Sequence, residues 1–395
     1  AFLNLGITRF IKPHIERYEV FLCEKLGYLI SIPKYIFFEV YFRYCFYTLF
    51  LCYHMKLKFS ILLFLSPTLL FAQVGGENIY QFLNISTSAR QIALGGEVLT
   101  FIDDVNQPIW NPSTISSELD RKLSVNYSSY LAGINIGSIS YAREISRRFG
   151  TIHASIKYLD YGIIVGADEQ GNETGNFGAN DIAISLGYAY NFPHSNFYFG
   201  ANLKLITSQI SSYSSSGVAA DLAFLYHSPF KPFSFTFVAR NLGTQITSFN
   251  GQNEELPFEL AFGGSYKLQY VPLKWYVTLD NLQQWMVSVP NPSEQTTDLE
   301  GNVTQKNISF IGNAFRHFIV GAELFPEKLI NIRVGYNFRR AAELKLQNAR
   351  TFSGVSFGFG IKMNRFKFNY AHSKFHSAAN VSTFSLEIDL DNRRY

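Results

Sequence analysis

The sequence predicts an all-β fold, a transmembrane antiparallel β-barrel of about 14 strands preceded by an N-terminal plug or hatch. Three observations carry that prediction. Only 16% of the 395 residues are charged, while 16% are aromatic and Gly and Phe are abundant. Bulky apolar residues alternate with small or polar ones over long segments, a period of two. The connections between those segments alternate between short and long, as in barrels with tight turns on one face of the membrane and loops on the other. So few charges exclude a disordered chain, a coiled coil and a nucleic-acid binder with a strong basic field. No run of about 18 uncharged apolar residues is present, which argues against a helical membrane protein.

The first elements are read as leader. The chain starts with Ala1 and its first methionine is Met55. From there Lys56 and Lys58 form a positive segment, Phe59 to Phe71 an apolar core, and Ala72 a small residue before a cleavage point. That is the pattern of a secretory signal peptide over 55–72. Residues 1–54 are expected to be a misassigned upstream extension. A membrane span within 26–54 is the weaker option, because Lys34, Glu39 and Arg43 interrupt it. Cys23, Cys45 and Cys52 all precede Met55, so an expected mature chain from Gln73 has no disulfide or thiolate chemistry. Residues 1–72 also hold eight Lys and Arg against four Asp and Glu, so the net charge of +4 resides there and the remainder is balanced.

Residues 73–121 alternate weakly and are broken by Gly and Pro, as expected of a hatch lying inside the barrel and entering from its short-turn side. Candidate structural residues here are Ser88, Arg90, Gly95, Gly96, Asp103, Asp104, Asn111 and Pro112. Asp103 and Asp104 are two adjacent carboxylates, a poor cage for Ca²⁺ without further oxygen ligands, so pairing with Arg90 is favoured. Gly95 and Gly96 suit a tight bend, with no P-loop lysine following.

Residues 122–395 carry the strands. Ile182, Ile184, Leu186, Tyr188 and Tyr190 share one face against Ala183, Ser185, Gly187 and Ala189. Val355, Phe357, Phe359 and Ile361 oppose Ser356, Gly358, Gly360 and Lys362. Strands are predicted near 122–130, 134–145, 150–161, 180–192, 196–207, 217–227, 232–241, 257–269, 273–283, 315–325, 328–339, 351–363, 364–374 and 381–391. Tight turns follow the even strands, and longer polar stretches such as 162–179, 242–256, 284–314 and 340–350 follow most odd ones. An even number of strands lets the sheet close without an open edge in lipid. Trp275, Trp285, Tyr270 and Tyr276 flank strand ends and are expected to anchor the barrel at the lipid–water boundary. His372 and His376 are spaced for zinc on a helix, but on a strand end they read as surface residues. No G-x-S-x-G or paired-acid signature stands out, so no enzymatic activity is expected.

The longest stretch, 284–314, is the candidate partner-binding loop. It offers Gln284 and Trp285, a stiff Pro290-Asn291-Pro292, and the acids Glu294, Asp298 and Glu300. Arg339-Arg340 enter another long loop and are candidates for contact with lipopolysaccharide phosphates.

The run from Ser88 to Gly96, the Asp103-Asp104 pair and Asn111-Pro112, followed by this strand pattern, resemble the fatty-acid-transporter-type family of outer-membrane barrels. More narrowly, QVGGENIYQFLNISTSARQIALGG, DDVNQPIWNPS, FYFGANLK, VARNLGTQIT and LPFELAFG resemble the PorQ-like barrels of the type IX secretion system of Bacteroidetes. The resemblance spans residues 73–395. It implies an outer-membrane location with both termini periplasmic, no cofactor, and a non-enzymatic scaffold holding a PorZ-like surface protein of the cargo attachment complex. The wider family implies an alternative, a channel for hydrophobic small molecules such as fatty acids.

Overall fold

Period-two alternation closes into a cylinder. The computed structural model describes residues 78–146, 148–192, 195–287, 296–297, 303–304, 308–345, 352–376 and 379–391. Residues 1–54, the stretch 55–72 expected to be a signal peptide and the first residues of the expected hatch, 73–77, lie outside the described residues. Fourteen antiparallel strands form one closed barrel. They are β1 (Lys122–Ser129), β2 (Asn135–Ser146), β3 (Gly150–Ala167), β4 (Glu173–Asn191), β5 (Phe197–Ile210), β6 (Tyr213–His227) and β7 (Phe233–Thr247). The second half comprises β8 (Glu259–Lys267), β9 (Leu273–Leu279), β10 (Phe318–Leu324), β11 (Ile330–Asn337), β12 (Val355–Met363), β13 (Phe366–His376) and β14 (Ala379–Asp389). Each strand pairs with its neighbour in the chain, and β1 closes the ring on β14 with Tyr127 opposite Phe384.

The two faces of this sheet differ in what they touch. On β4, Ile184 and Leu186 point outward and are exposed, while Asp181, Ala183 and Ser185 point inward and are buried. Outward residues meet across the ladders, as in Ile184 with Ile156 and Leu205, or Val334 with Phe357. Leu203 and Leu205 on β5 remain 68% and 62% exposed. A contiguous apolar belt of this extent is far larger than a soluble monomer leaves in water, and lipid is the solvent that suits it. Near the short turns the belt ends in rings: Phe197 lies 5.2 Å from Tyr226, and Tyr226 stacks on Phe235 at 5.0 Å. Aromatic rings favour that boundary because one end is apolar and the other wet.

Five strands, β3 to β7, run further on the long-loop side than the sequence predicts. The stretch 162–179 is mostly ladder, since β3 and β4 continue past a bulge at residues 160–163 to a tight turn at 168–172. Asp168 closes that turn by accepting the Asn172 amide N–H at 2.7 Å. Strands β5 and β6 meet in a hairpin turn at residues 211–212, and β7 continues to Thr247. These extensions mix exposed apolar residues, Ile163, Val165 and Ile246 among them, with Ser, Thr, Gly and Asn in no strict alternation, so the pattern in hydropathy fades before the hydrogen bonding does.

Candidate functional site

The segment 78–121 occupies the lumen. It folds as short turns around one helical turn, α1 (Ala89–Ala93), because its Gly and Pro residues stop anything longer. Ser88 precedes α1 and is buried. Asn111 caps the turn Pro112–Thr114 by accepting the Ser113 amide N–H at 3.0 Å. Gly95 and Gly96 hold φ of +108° and +110°, a conformation that glycine adopts without strain.

Contacts from this segment reach every strand. Asn106 donates to Ser124 of β1, Thr87 hydrogen-bonds Ser138 of β2, and His153 of β3 bonds the Val105 carbonyl. Ala183 of β4 packs with Phe82 and Leu83, Asn202 of β5 donates to the Pro108 carbonyl, and Tyr80 hydrogen-bonds Ser215 of β6. Asn111 donates to Thr236 of β7, Leu99 packs on Ala261 of β8, and Phe101 meets Tyr276 of β9 edge-on at 5.1 Å. Arg90 donates to Glu323 of β10, and Gly335 of β11 lies against the Leu94–Gly95 peptide. Ser356 of β12 donates to the Ala93 carbonyl, Ala371 of β13 packs on α1, and Ser385 of β14 accepts the Ala89 amide N–H. The small inward residues are what make this fit. A Cβ on Gly335 would stand 2.1 Å from the Gly95 nitrogen, and one on Gly200 2.2 Å from the Pro112 backbone.

Charge is neutralised inside the lumen in three clusters. In the first, Arg90 donates to Asp103 at 2.8 Å and to Glu323 at 2.9 Å, with Asp104 3.9 Å away. Glu323 also accepts from Arg333 at 2.8 Å and from the Tyr276 hydroxyl at 2.9 Å. The second is built by a bulge in β7. The register with β6 shifts there, Asn241 takes φ of 58°, and the consecutive side chains of Arg240 and Asn241 both point inward. Arg240 pairs with Glu259 at 2.6 Å and Glu97 at 2.9 Å, and lies 4.1 Å over the Trp110 ring. Burial pushes the Glu97 carboxyl well above the usual range. The pull of Arg240 offsets only part of that, and Glu259 adds to it. In the third, Lys204 pairs with Asp221 at 2.8 Å and donates to Asn241, which donates in turn to Asn84 of the hatch.

Within the described residues, the hatch runs from the long-loop rim to the short-turn end of the barrel. Asn78 bridges Glu255 in the β7–β8 loop, on the long-loop side. Arg121 and Asp391 pair at 3.0 Å at the other end, where β1 begins and β14 ends. Tyr80, Phe82 and Leu83 find apolar partners in Ile136, Leu159, Ile206 and Leu256 near the long-loop rim. The polar run that follows descends through the lumen.

Of the other candidates, Gln284, Trp285, Arg339 and Arg340 lie at the long-loop rim. Gln284 and Trp285 follow β9, and Trp285 stacks on Phe310 at 4.5 Å. Pro290, Asn291, Pro292, Glu294, Asp298 and Glu300 lie outside the described residues. Arg339 and Arg340 turn toward the barrel instead of outward. Arg339 pairs with Asp280 at 2.6 Å, and Arg340 lies 3.8 Å over Phe375 and donates to Ser373. His372 faces outward beside Phe357. Tyr276 is not a boundary anchor: it is 1% exposed and points into the lumen, because neighbours on a strand face opposite ways and Trp275 takes the outer side. Sequence reasoning missed Glu323, Arg240, Glu259, Lys204 and Asp221. Their signal was charge at inward positions of strands whose other inward residues are small.

Among solved structures, the toluene transporter TbuX of Ralstonia pickettii aligns at 10% identity and a TM-score of 0.46, over 78% of this chain and 97% of that one. The KdgM porin aligns at 8% identity and 0.31, over 68% and 99%. CdiB of Acinetobacter baumannii aligns at 10% and 0.30, over 68% and 59%. No curated protein matches the sequence. The family model described as type IX secretion system protein PorV matches residues 77–292, more than half of the chain. The chain belongs to the PorV family of type IX secretion system proteins.

Proposed function

We propose that this barrel is a non-enzymatic scaffold of the type IX secretion system in the outer membrane, a PorQ-like member holding a PorZ-like surface protein of the attachment complex at its long-loop rim. The observation that carries the reading is the occupied lumen. With all fourteen strands in contact with the hatch, the rim is the surface left for a partner. Membership of a secretion family supports the class of partner. A channel for hydrophobic small molecules needs an apolar internal path, and three ionic clusters in the lumen speak against one.

Affinity purification of the tagged barrel from outer membranes of its native host tests this. Removing residues 288–307 spares the contact of Trp285 with Asn313 and His317. The parent should co-purify an exported surface protein that the deletion variant loses, while both remain inserted. Equal recovery from both would refute the loop assignment, and no secretion-system partner from either would refute the scaffold.

A further inference from the structure

The outward belt is uneven in height. Strands β9 and β10 have seven residues each, whereas β3 and β4 have eighteen and nineteen. At about 3.3 Å per residue and a tilt of about 40°, the short strands rise about 18 Å, less than the band of about 25 Å that a barrel shows to lipid. Their short-turn ends are level with their neighbours, since Lys274 pairs with Lys267 of β8 and Phe325 bonds back to Pro272. The missing height is on the long-loop side.

There the chain supplies apolar residues from outside the sheet. Leu282, Trp285 and Met286 follow β9, and α2 (Phe310–Phe315) precedes β10 with Phe310, Ile311 and Phe315. All six are exposed, Phe310 at 72% and Ile311 at 67%. They continue the lipid-facing surface. The Phe315 ring lies 6.1 Å from Phe318, the first residue of β10, and 5.8 Å from Phe338, which meets outward-facing Tyr336 at 4.8 Å.

A buried polar clamp holds them in place. Asn313 donates to the Trp285 carbonyl, His317 bonds the Asp280 carbonyl at 2.7 Å, and Ser309 accepts the Gly312 amide N–H. Asn313 and His317 are both buried. A clamp of this kind would be superfluous under a patch that merely waved in solvent.

We infer that α2 and Trp285 form a ledge seated in the outer leaflet, completing the belt in front of β9 and β10, with lipid acyl chains as the occupant. Continuity with the lipid-facing surface argues for lipid over a protein partner. The inference rests on the membrane-spanning reading of the barrel, and the test separates the two.

The chain has three tryptophans, Trp110, Trp275 and Trp285. With Trp110→Phe and Trp275→Phe, Trp285 reports alone; with Trp110→Phe and Trp285→Phe, Trp275 reports the belt. Each variant is folded into vesicles of phosphatidylcholine brominated near the upper end of its acyl chains. Trp285 emission should fall about twofold or more, as Trp275 emission does, and iodide should quench it weakly. Quenching of Trp275 but not Trp285 overturns the ledge and leaves the barrel in lipid. Quenching of neither overturns both. As a second measurement, on the full-length sequence with Cys23, Cys45 and Cys52 replaced by Ser, Ile311→Cys carrying a nitroxide should be more accessible to oxygen than to a water-soluble nickel chelate. The reverse order, or protection from both, overturns the ledge.

Discussion

Replacing Arg90 with alanine should unseat the hatch while leaving the wall intact. Arg90 is 3% exposed, donates to Asp103 and Glu323, and lies 4.0 Å over the Phe101 ring. Its two carboxylates differ in what they lose. Asp103 is half-exposed and keeps Lys367 at 3.7 Å, so its share is small. Glu323 is fully buried but keeps Arg333 and Tyr276. Breaking a buried pair costs about 3–5 kcal/mol, and with Arg333 still in place we take the lower end, about 3 kcal/mol. That is about 150-fold in the equilibrium between seated and released hatch. Hydrogen exchange in detergent micelles reads it directly. The amides at Ile92 and Leu94 should exchange about 150-fold faster in Arg90→Ala, with those of β3 to β7 unchanged. Pairing Arg90→Ala with Glu323→Gln should show a coupling of about 1.5 kcal/mol or more. Acceleration below about fivefold, or no coupling, would refute the claim that this ionic cluster seats the hatch.

Three other substitutions probe separate parts of the account. Gly335→Val places carbon on top of the Gly95 nitrogen and should cost about 1–3 kcal/mol or more, exposing residues 89–96 to protease; an unchanged digest would contradict the close approach. Glu97 has a raised carboxyl, so the folded barrel holds its proton more tightly than the unfolded chain does. Its contribution is therefore full below the ordinary value and is lost as pH rises through the raised one. Glu97→Gln should then melt with the parent near pH 4 and at or above it near pH 8, whereas a lower melting temperature at pH 8 would mean that the anion is what Arg240 needs. Leu203→Arg puts a charge on the outer face one residue from inward Lys204. It should cost about 2–4 kcal/mol in folding titrations into vesicles, and no cost would mean that this face does not meet lipid.

The wall was legible because its two faces have different solvents. Wherever lipid met Ile184, Leu203 or Phe357 on one side and the hatch met Ser or Gly on the other, period two was unmistakable. It faded in the outer parts of β3 to β7, where apolar residues such as Ile163, Ile164 and Val165 follow one another instead of alternating with polar ones. The hatch was visible as a break in that pattern, and Arg90, Asp103 and Asn111 stood out as polar residues among glycines. Its partners did not. Arg90 meets a residue 233 positions away, and Asn111 one 125 away. A charge on an inward strand position announces that it needs a counter-charge without saying where it will come from. Tyr276 shows the opposite error: an aromatic residue beside a strand end was assigned to the boundary by its type, when the parity of its neighbour Trp275 had already turned it inward.

The most direct test uses the chain from Gln73 onward, folded in detergent, with the detergent then removed in the absence of lipid. With an outward face built from Leu186, Leu203, Phe237 and their neighbours, the protein should be monodisperse only while detergent or bilayer covers it, and should aggregate once bare. A stable, monodisperse, folded monomer in plain buffer would contradict the account at its foundation.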